Sequence, residues 1–177
     1  RSRASWAWEA RAGVVAGAGQ QARLGHQRGQ RDLERGTPAT EDTIFRIYSM
    51  TKILTSAAGL QLYEQNKLLL GQPVTDFSPE LKELKVFAGG TTEAFEVEDI
   101  KTPITIRMLL NHTAGFTYGF FDESPVHKLY KKADLWNASS LDDFLQRAAT
   151  LPLLAQPGDA YHYGINNDIL ALVIQRE

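Results

Sequence analysis

The stretch Phe45-Arg46-Ile47-Tyr48-Ser49-Met50-Thr51-Lys52, running into an apolar segment that reaches Tyr63, constrains this chain more than any other. A short strand-like segment ends there and a helical pattern begins, with Ser49 at the junction and Lys52 three positions on. Residues i and i+3 share one helix face, about 5–6 Å apart between Cβ atoms. The spacing therefore sets a hydroxyl beside an amine at a helix N-terminus, where backbone N–H groups point outward and the dipole favours negative charge. A serine nucleophile needs a base to take its proton and donors for the oxyanion it creates. The junction offers both, and Ser49 reads as the nucleophile of a serine hydrolase.

A length of 177 residues is enough for one domain with a core of its own. Hydrophobic residues make up 43% and charged ones 23%, ordinary proportions for a globular protein. The net charge of -2 implies no general attraction to nucleic acid or to an anionic membrane. There is no cysteine, which excludes disulfides and thiolate ligands. No apolar run reaches the roughly 18 residues that a membrane-spanning helix needs. The chain opens on Arg1 rather than Met, so a removed leader would be out of sight; localisation stays open, with the cytoplasm favoured over the periplasm or export.

The segment up to about residue 12, with Trp6 and Trp8, suggests a terminal helix or an extended arm. Two antiparallel strands are expected around 12–18 and 22–28, a polar loop over 31–38, and a short strand from Thr43 to Tyr48 delivering Ser49. The helix from Ser49 carries small residues at its middle (Ser56 to Gly59), which suits a buried central position, and Asn66 offers a left-handed stop. One helical turn fits Pro79 to Leu84, and a surface excursion with room for a hairpin fits Phe87 to Thr102. Short helices follow from Thr105 to Asn111 with Thr105 as cap, from Pro125 to Ala133, and from Leu141 to about Ala149 behind Ser139 or Ser140. The last segment, Asn167 to Gln175, is apolar at helical spacing.

Ser-x-x-Lys alone is a weak signal, since about one match arises by chance in a chain of this length. Its bland reading is a serine cap followed by a solvated lysine. Apolar neighbours at Ile47, Met50, Ile53 and Leu54 argue against solvation, and a lysine drawn among them has its charged form penalised and its pKa lowered, as a base near neutral pH requires. Tyr163, after Gln156-Pro157-Gly158, is the second candidate: a phenol beside a lysine ammonium can exchange a proton with a serine hydroxyl. Its bland reading is a core aromatic.

The ordered words Phe45 to Lys52, Leu109-Leu110-Asn111-His112-Thr113-Ala114-Gly115, and Pro157-Gly158 with Tyr163 and Asp168-Ile169-Leu170 resemble the serine β-lactamase-like superfamily. Within it they look most like the class C-like esterases known as family VIII carboxylesterases, over about residues 31 to 177. The resemblance implies an α/β chain of the α+β type with the serine β-lactamase/penicillin-binding-protein-like fold, a helical region beside an antiparallel sheet. It implies Ser49 as the acylated nucleophile, Lys52 as its partner in proton transfer, and Tyr163 as general base, with the Ser49 N–H as half of the oxyanion hole. Tyr118, Phe120 and Ile165 fall where the substrate would bind, and neither metal nor cofactor is implied.

Two departures matter. Tyr163-Gly164-Ile165 replaces the Tyr-Ser-Asn word of the lactamases, which favours small carboxylic esters over lactams as substrate. Family members also run to roughly twice this length, so residues 1–177 are expected to be the N-terminal half of a single β-lactamase-like serine hydrolase domain. A second chain, or a longer parent, is then expected to carry the other half as partner. The alternatives on the same site are a β-lactamase, a D-amino peptidase, an acyltransferase, or a non-catalytic binding or assembly member.

Overall fold

The computed structural model describes residues 14–18, 21–26, 29–40 and 42–177. The segment with Trp6 and Trp8 lies outside these residues, as do the outer ends of the first two expected strands. The chain divides into two compact units, residues 1–48 and 49–177.

In the first unit, β1 (Val14–Ala18) and β2 (Gln21–His26) pair antiparallel, with the register shifting between Ala16 and Gly17. The polar stretch 31–38, expected as loop, closes into a small antiparallel ladder of β3 (Gln30–Asp32) and β4 (Thr37–Pro38). Asp32 explains the difference: its Oδ1 accepts from the N–H groups of Glu34 and Arg35, each at 3.1 Å, and so folds the turn. Thr43 to Tyr48, expected as a strand, forms none. Ile44 and Phe45 are exposed and so present no core face, and Tyr48 adopts the left-handed conformation at φ 45°, which turns the backbone just before Ser49.

In the second unit a 3₁₀ turn, Tyr48–Met50, leads into α1 (Thr51–Glu64). The helix stops where Asn66 turns left-handed: its N–H reaches Tyr63 O at 3.0 Å and that of Lys67 reaches Leu62 O at 3.0 Å. Single 3₁₀ turns follow at Val74–Asp76 and Pro79–Glu83. The excursion after them is an antiparallel hairpin, β5 (Lys85–Gly90) and β6 (Phe95–Asp99). Phe87 N–H and Leu153 N–H, donating to Leu153 O and Lys85 O, bind it to the segment that precedes Tyr163. Buried Gln156 fastens it further, giving its Nε2 to Glu98 Oε1 and Asp99 O and accepting Lys101 N–H on Oε1.

The remaining helices are α2 (Ile106–Leu110), α3 (Pro125–Ala133), α4 (Leu141–Ala149) and α5 (Asn166–Arg176). Local chemistry accounts for their starts. Thr105 Oγ1 accepts Met108 N–H, Pro125 occupies the first turn of α3, and Ser140 Oγ accepts Asp143 N–H at 3.0 Å. Their apolar faces meet in one core around Leu109, Phe116, Val126, Leu145, Ile169 and Leu170, beside the β5–β6 hairpin. Arg176 ties the end of α5 to Glu80, Asp142 and the carbonyl of Phe77. None of the described helices is long and apolar enough to cross a membrane.

One expectation for α1 fails. Its small residues suggested burial on all sides, yet Gly59 alone is buried, and Ile53 and Leu54 are 70% and 62% exposed. Helical spacing turns Lys52, Ser56 and Gly59 toward α5, where a Cβ at Gly59 would rest 3.6 Å from Leu170 and Ile174, and turns Ile53 and Leu54 elsewhere. Core and cap separate cleanly in energy. Leu145→Ala should cost roughly 2–5 kcal/mol and Ser140→Ala about 1 kcal/mol in urea denaturation. Equal small losses for both would contradict the position of the core.

Candidate active site

Ser49 sits in the middle of the 3₁₀ turn, on the surface, one residue before the N-cap position of α1. That position falls on Met50, and no side chain caps the helix. Ser49 is therefore not a cap. Its Oγ instead lies 2.7 Å from the hydroxyl of Tyr163, which donates to it, across 114 residues of sequence. Hydroxyl protons rotate, so the same pair can carry the bond in either sense.

Tyr163 reaches this spot because Gly164 follows it. A Cβ at Gly164 would stand 2.5 Å from Thr117 Cα and 2.6 Å from Phe116 O, so the two backbones can touch only with glycine there. The approach brings the ring of Tyr163 to 5.6 Å from that of Tyr118. Asn167, at the start of α5, then locks α1 in place, its Nδ2 donating to Ser56 Oγ at 3.0 Å and to Lys52 O at 3.4 Å. On the far side, His112 stacks at 4.9 Å on Tyr163, and its Nδ1 meets Asn166 Nδ2 at 3.0 Å.

Lys52 projects from α1 over both phenols, its Nζ 5.0 Å from the ring centre of Tyr163 and 5.5 Å from that of Tyr118. The apolar neighbours read from sequence do not surround it. Ile47, Met50, Ile53 and Leu54 are exposed, and Lys52 is half-buried by aromatic rings brought from elsewhere in the chain. Its pKa moves the opposite way from that expectation. Burial works to lower it, but the oxygens of Tyr118 and then Tyr163 favour the ammonium and leave it raised. The arrangement favours the charged form of Lys52.

The groups around it respond to burial and to that cation. Burial raises the phenol of Tyr118, with Lys52 opposing. The Asp168 carboxyl is likewise raised by burial, against the pull of Lys52, and its Oδ2 is buried without a partner. Burial and then the charge of Lys52 lower the pKa of His112, so its imidazole is neutral and Nδ1 accepts from Asn166. Of the residues expected at the substrate, Tyr118 is buried against Lys52, while Phe120 is largely exposed and stacks on Tyr118 at 5.0 Å. Ile165 requires correction. It is fully buried in the core, because the turn into α5 points it inward, and it offers a ligand no surface.

Sequence reading passed over Asn166 and Asn167. Two consecutive asparagines opening an otherwise apolar helix were the available signal, since such side chains need partners when buried. Among the described residues no three His, Asp or Glu side chains are placed to share a metal ion. The site's electrostatics make a pH prediction. Unfolded His112 protonates near its ordinary value of about 6.5 while the folded imidazole resists, so the unfolded state binds more protons and stability falls as pH drops below about 6.5. His112→Asn should flatten that decline, read as urea midpoints at about pH 7 and about pH 5.5; an unchanged slope would contradict a neutral, buried His112.

The family profile described as Beta-lactamase matches residues 4–176. Protein Rv1367c of Mycobacterium tuberculosis is 36% identical over 148 residues, covering 84% of this chain and 36% of its own length. Esterase EstB of Burkholderia gladioli is 32% identical over 154 residues, covering 84% of this chain and 36% of itself. Among solved structures, EstCE1, described as a hydrolase with promiscuous acyltransferase activity, superposes with a TM-score of 0.68 at 30% identity, over 84% of this chain and 37% of its own. The chain thus spans a little over a third of the length of these relatives.

Proposed function

The chain belongs to the beta-lactamase family, and from that footing we propose that it carries the nucleophile half of a serine hydrolase that cleaves small carboxylic esters through an acyl-enzyme on Ser49. The observation that carries this reading is the 2.7 Å contact between Tyr163 Oη and Ser49 Oγ beneath the ammonium of Lys52. Tyr163 is the general base whose oxygen takes the Ser49 proton while Oγ attacks the ester carbonyl carbon. Lys52, whose ammonium the oxygens of Tyr118 and Tyr163 favour, lies over the Tyr163 ring and favours negative charge developing on its oxygen. The tetrahedral intermediate collapses as Tyr163 returns the proton to the departing alkoxide, leaving an ester on Ser49. Water, activated in the same way, then releases the acid.

The uncapped start of α1 suits the oxyanion, since no side chain caps the helix there, and the Ser49 N–H is read as one of its donors. Residues 1–177 are read as the N-terminal half of one such domain, with the rest of the site supplied by the remaining part of a longer protein or by a second chain. Ile165, standing where the lactamases carry the asparagine of Tyr-Ser-Asn, and the ester hydrolase among the relatives support esters over lactams and a place among the family VIII carboxylesterases. Acyl transfer is the second reading, favoured by one observation, the acyltransferase activity stated for EstCE1. It differs only in the final step, where an alcohol replaces water.

In the full-length protein, Ser49→Ala should lower ester turnover by about 10³-fold or more, and Tyr163→Phe should be severe while leaving the fold intact. Steady-state kinetics on a short-chain aryl ester checks both. Unchanged turnover in the two variants would sink the mechanism. Adding an alcohol acceptor and measuring the ester formed separates transfer from hydrolysis.

A further inference from the structure

Beyond the residues proposed to handle the proton, the second unit holds a half-open cavity of about 420 Å³ lined by Gly119, Phe120, Tyr130 and Trp136 together with the charged Glu123, Lys131 and Asp134. Its size is that of a small-molecule pocket. Phe120 and Trp136 are 64% and 63% exposed, and large aromatics grouped in the open mark a recognition surface more often than chance. Both rings lean on the same neighbour. Phe120 lies 5.0 Å from Tyr118 at an interplanar angle of 14°, and Trp136 lies 5.6 Å from it at 30°. Tyr118 in turn stands 5.6 Å from Tyr163, so the aromatic wall runs from the cavity to the reacting hydroxyls.

The position of Trp136 is built, not incidental. Asp134 ends α3 in the left-handed conformation, φ 50°, and opens a 3₁₀ turn, Leu135–Asn137, that carries the indole. Asn137 Nδ2 clamps both oxygens of the Asp134 carboxylate at 3.0 and 2.8 Å. Arg147 donates to Asp134 O at 3.1 Å while its guanidinium grips Asp143. Leu135 anchors the turn in the core. On the facing side, Gly119 lets the aromatic loop press against α3, since a Cβ there would meet Lys131 Cα at 2.7 Å. A fixed turn thus holds an apolar indole out to solvent beside a cavity.

From this we propose that the cavity is a substrate subsite that takes a neutral, flat aromatic or fused-ring group of the ester, with Trp136 as the residue that selects for it. The inference rests on the serine hydrolase reading for the identity of the reacting bond. The aromatic surface of Phe120 and Trp136 in the cavity lining favours a planar group that can stack on it over a branched aliphatic one. Charges of both signs in the lining, from Lys131 and from Glu123 and Asp134, favour a neutral group over an ion. The flat group can be the acyl or the alcohol part of the ester, and the substrates below tell which.

The test uses the full-length protein with 2-naphthyl acetate, methyl 2-naphthoate and ethyl acetate. The ratio of kcat/KM for a naphthyl-bearing ester to that for ethyl acetate should fall about tenfold in Trp136→Ala and recover most of the way in Trp136→Phe. The naphthyl ester whose ratio falls identifies the part of the substrate that enters the cavity. A ratio unchanged for both naphthyl esters overturns the proposal. Binding is read separately in Ser49→Ala protein by titrating 2-naphthol and following the indole N–H resonance assigned by its loss in Trp136→Phe. A saturable shift supports the subsite even if no ester is cleaved, which would defeat only the hydrolase reading. Cleavage at Ser49 with no shift and no change of ratio defeats only the subsite.

Discussion

The hydrogen bond between Tyr163 and Ser49 is the constraint on which the rest depends, because it joins residues 114 positions apart at 2.7 Å. Nothing local could hold that distance. It needs α1 fixed against α5, and Asn167 does this by binding Ser56 and the Lys52 carbonyl from the first turn of α5. It needs the backbone at Gly164 to lie against Thr117, which glycine alone permits. It also needs the segment before Tyr163 fastened to the β5–β6 hairpin, through Gln156 and the Leu153 ladder. Core packing around Leu109, Phe116, Ile169 and Leu170 serves all three.

The charge at the site follows from the same placement. Two phenols brought over one lysine favour its ammonium form, against the burial that works to lower its pKa. Burial, and then that cation, lower the pKa of His112, whose neutral ring lies against Tyr163 and accepts from Asn166 without adding a second positive charge. In the proposed mechanism Lys52 therefore acts on the proton through Tyr163 instead of removing it directly. A mechanism with lysine as base would require the opposite balance.

Much of this was legible in the residues, and the limits have physical causes. Helix starts at Thr105, Pro125 and Ser140 follow local capping chemistry, so spacing and residue type located them. The pair Ser49 and Lys52 was visible as an i, i+3 pattern, whereas Tyr163 stood out only through resemblance, since its partner is remote in sequence. Lys52 was read in the right place with the wrong surroundings: its neighbours in space are Tyr118 and Tyr163, and its neighbours in sequence face away. Ile165 was misjudged because one residue's rotation at the mouth of α5 separates the site from the core. Trp136 went unremarked because its exposure, and the turn that enforces it, exist only once Asp134, Asn137 and Arg147 meet.

The most direct measurement is intact-mass spectrometry of the full-length protein with a fluorophosphonate probe, followed by peptide mapping. The account predicts one adduct per site, on the peptide that carries Ser49, formed far more slowly when Tyr163 is phenylalanine. An adduct on a different serine, or ester turnover by a protein whose Ser49 stays unlabelled, would contradict it.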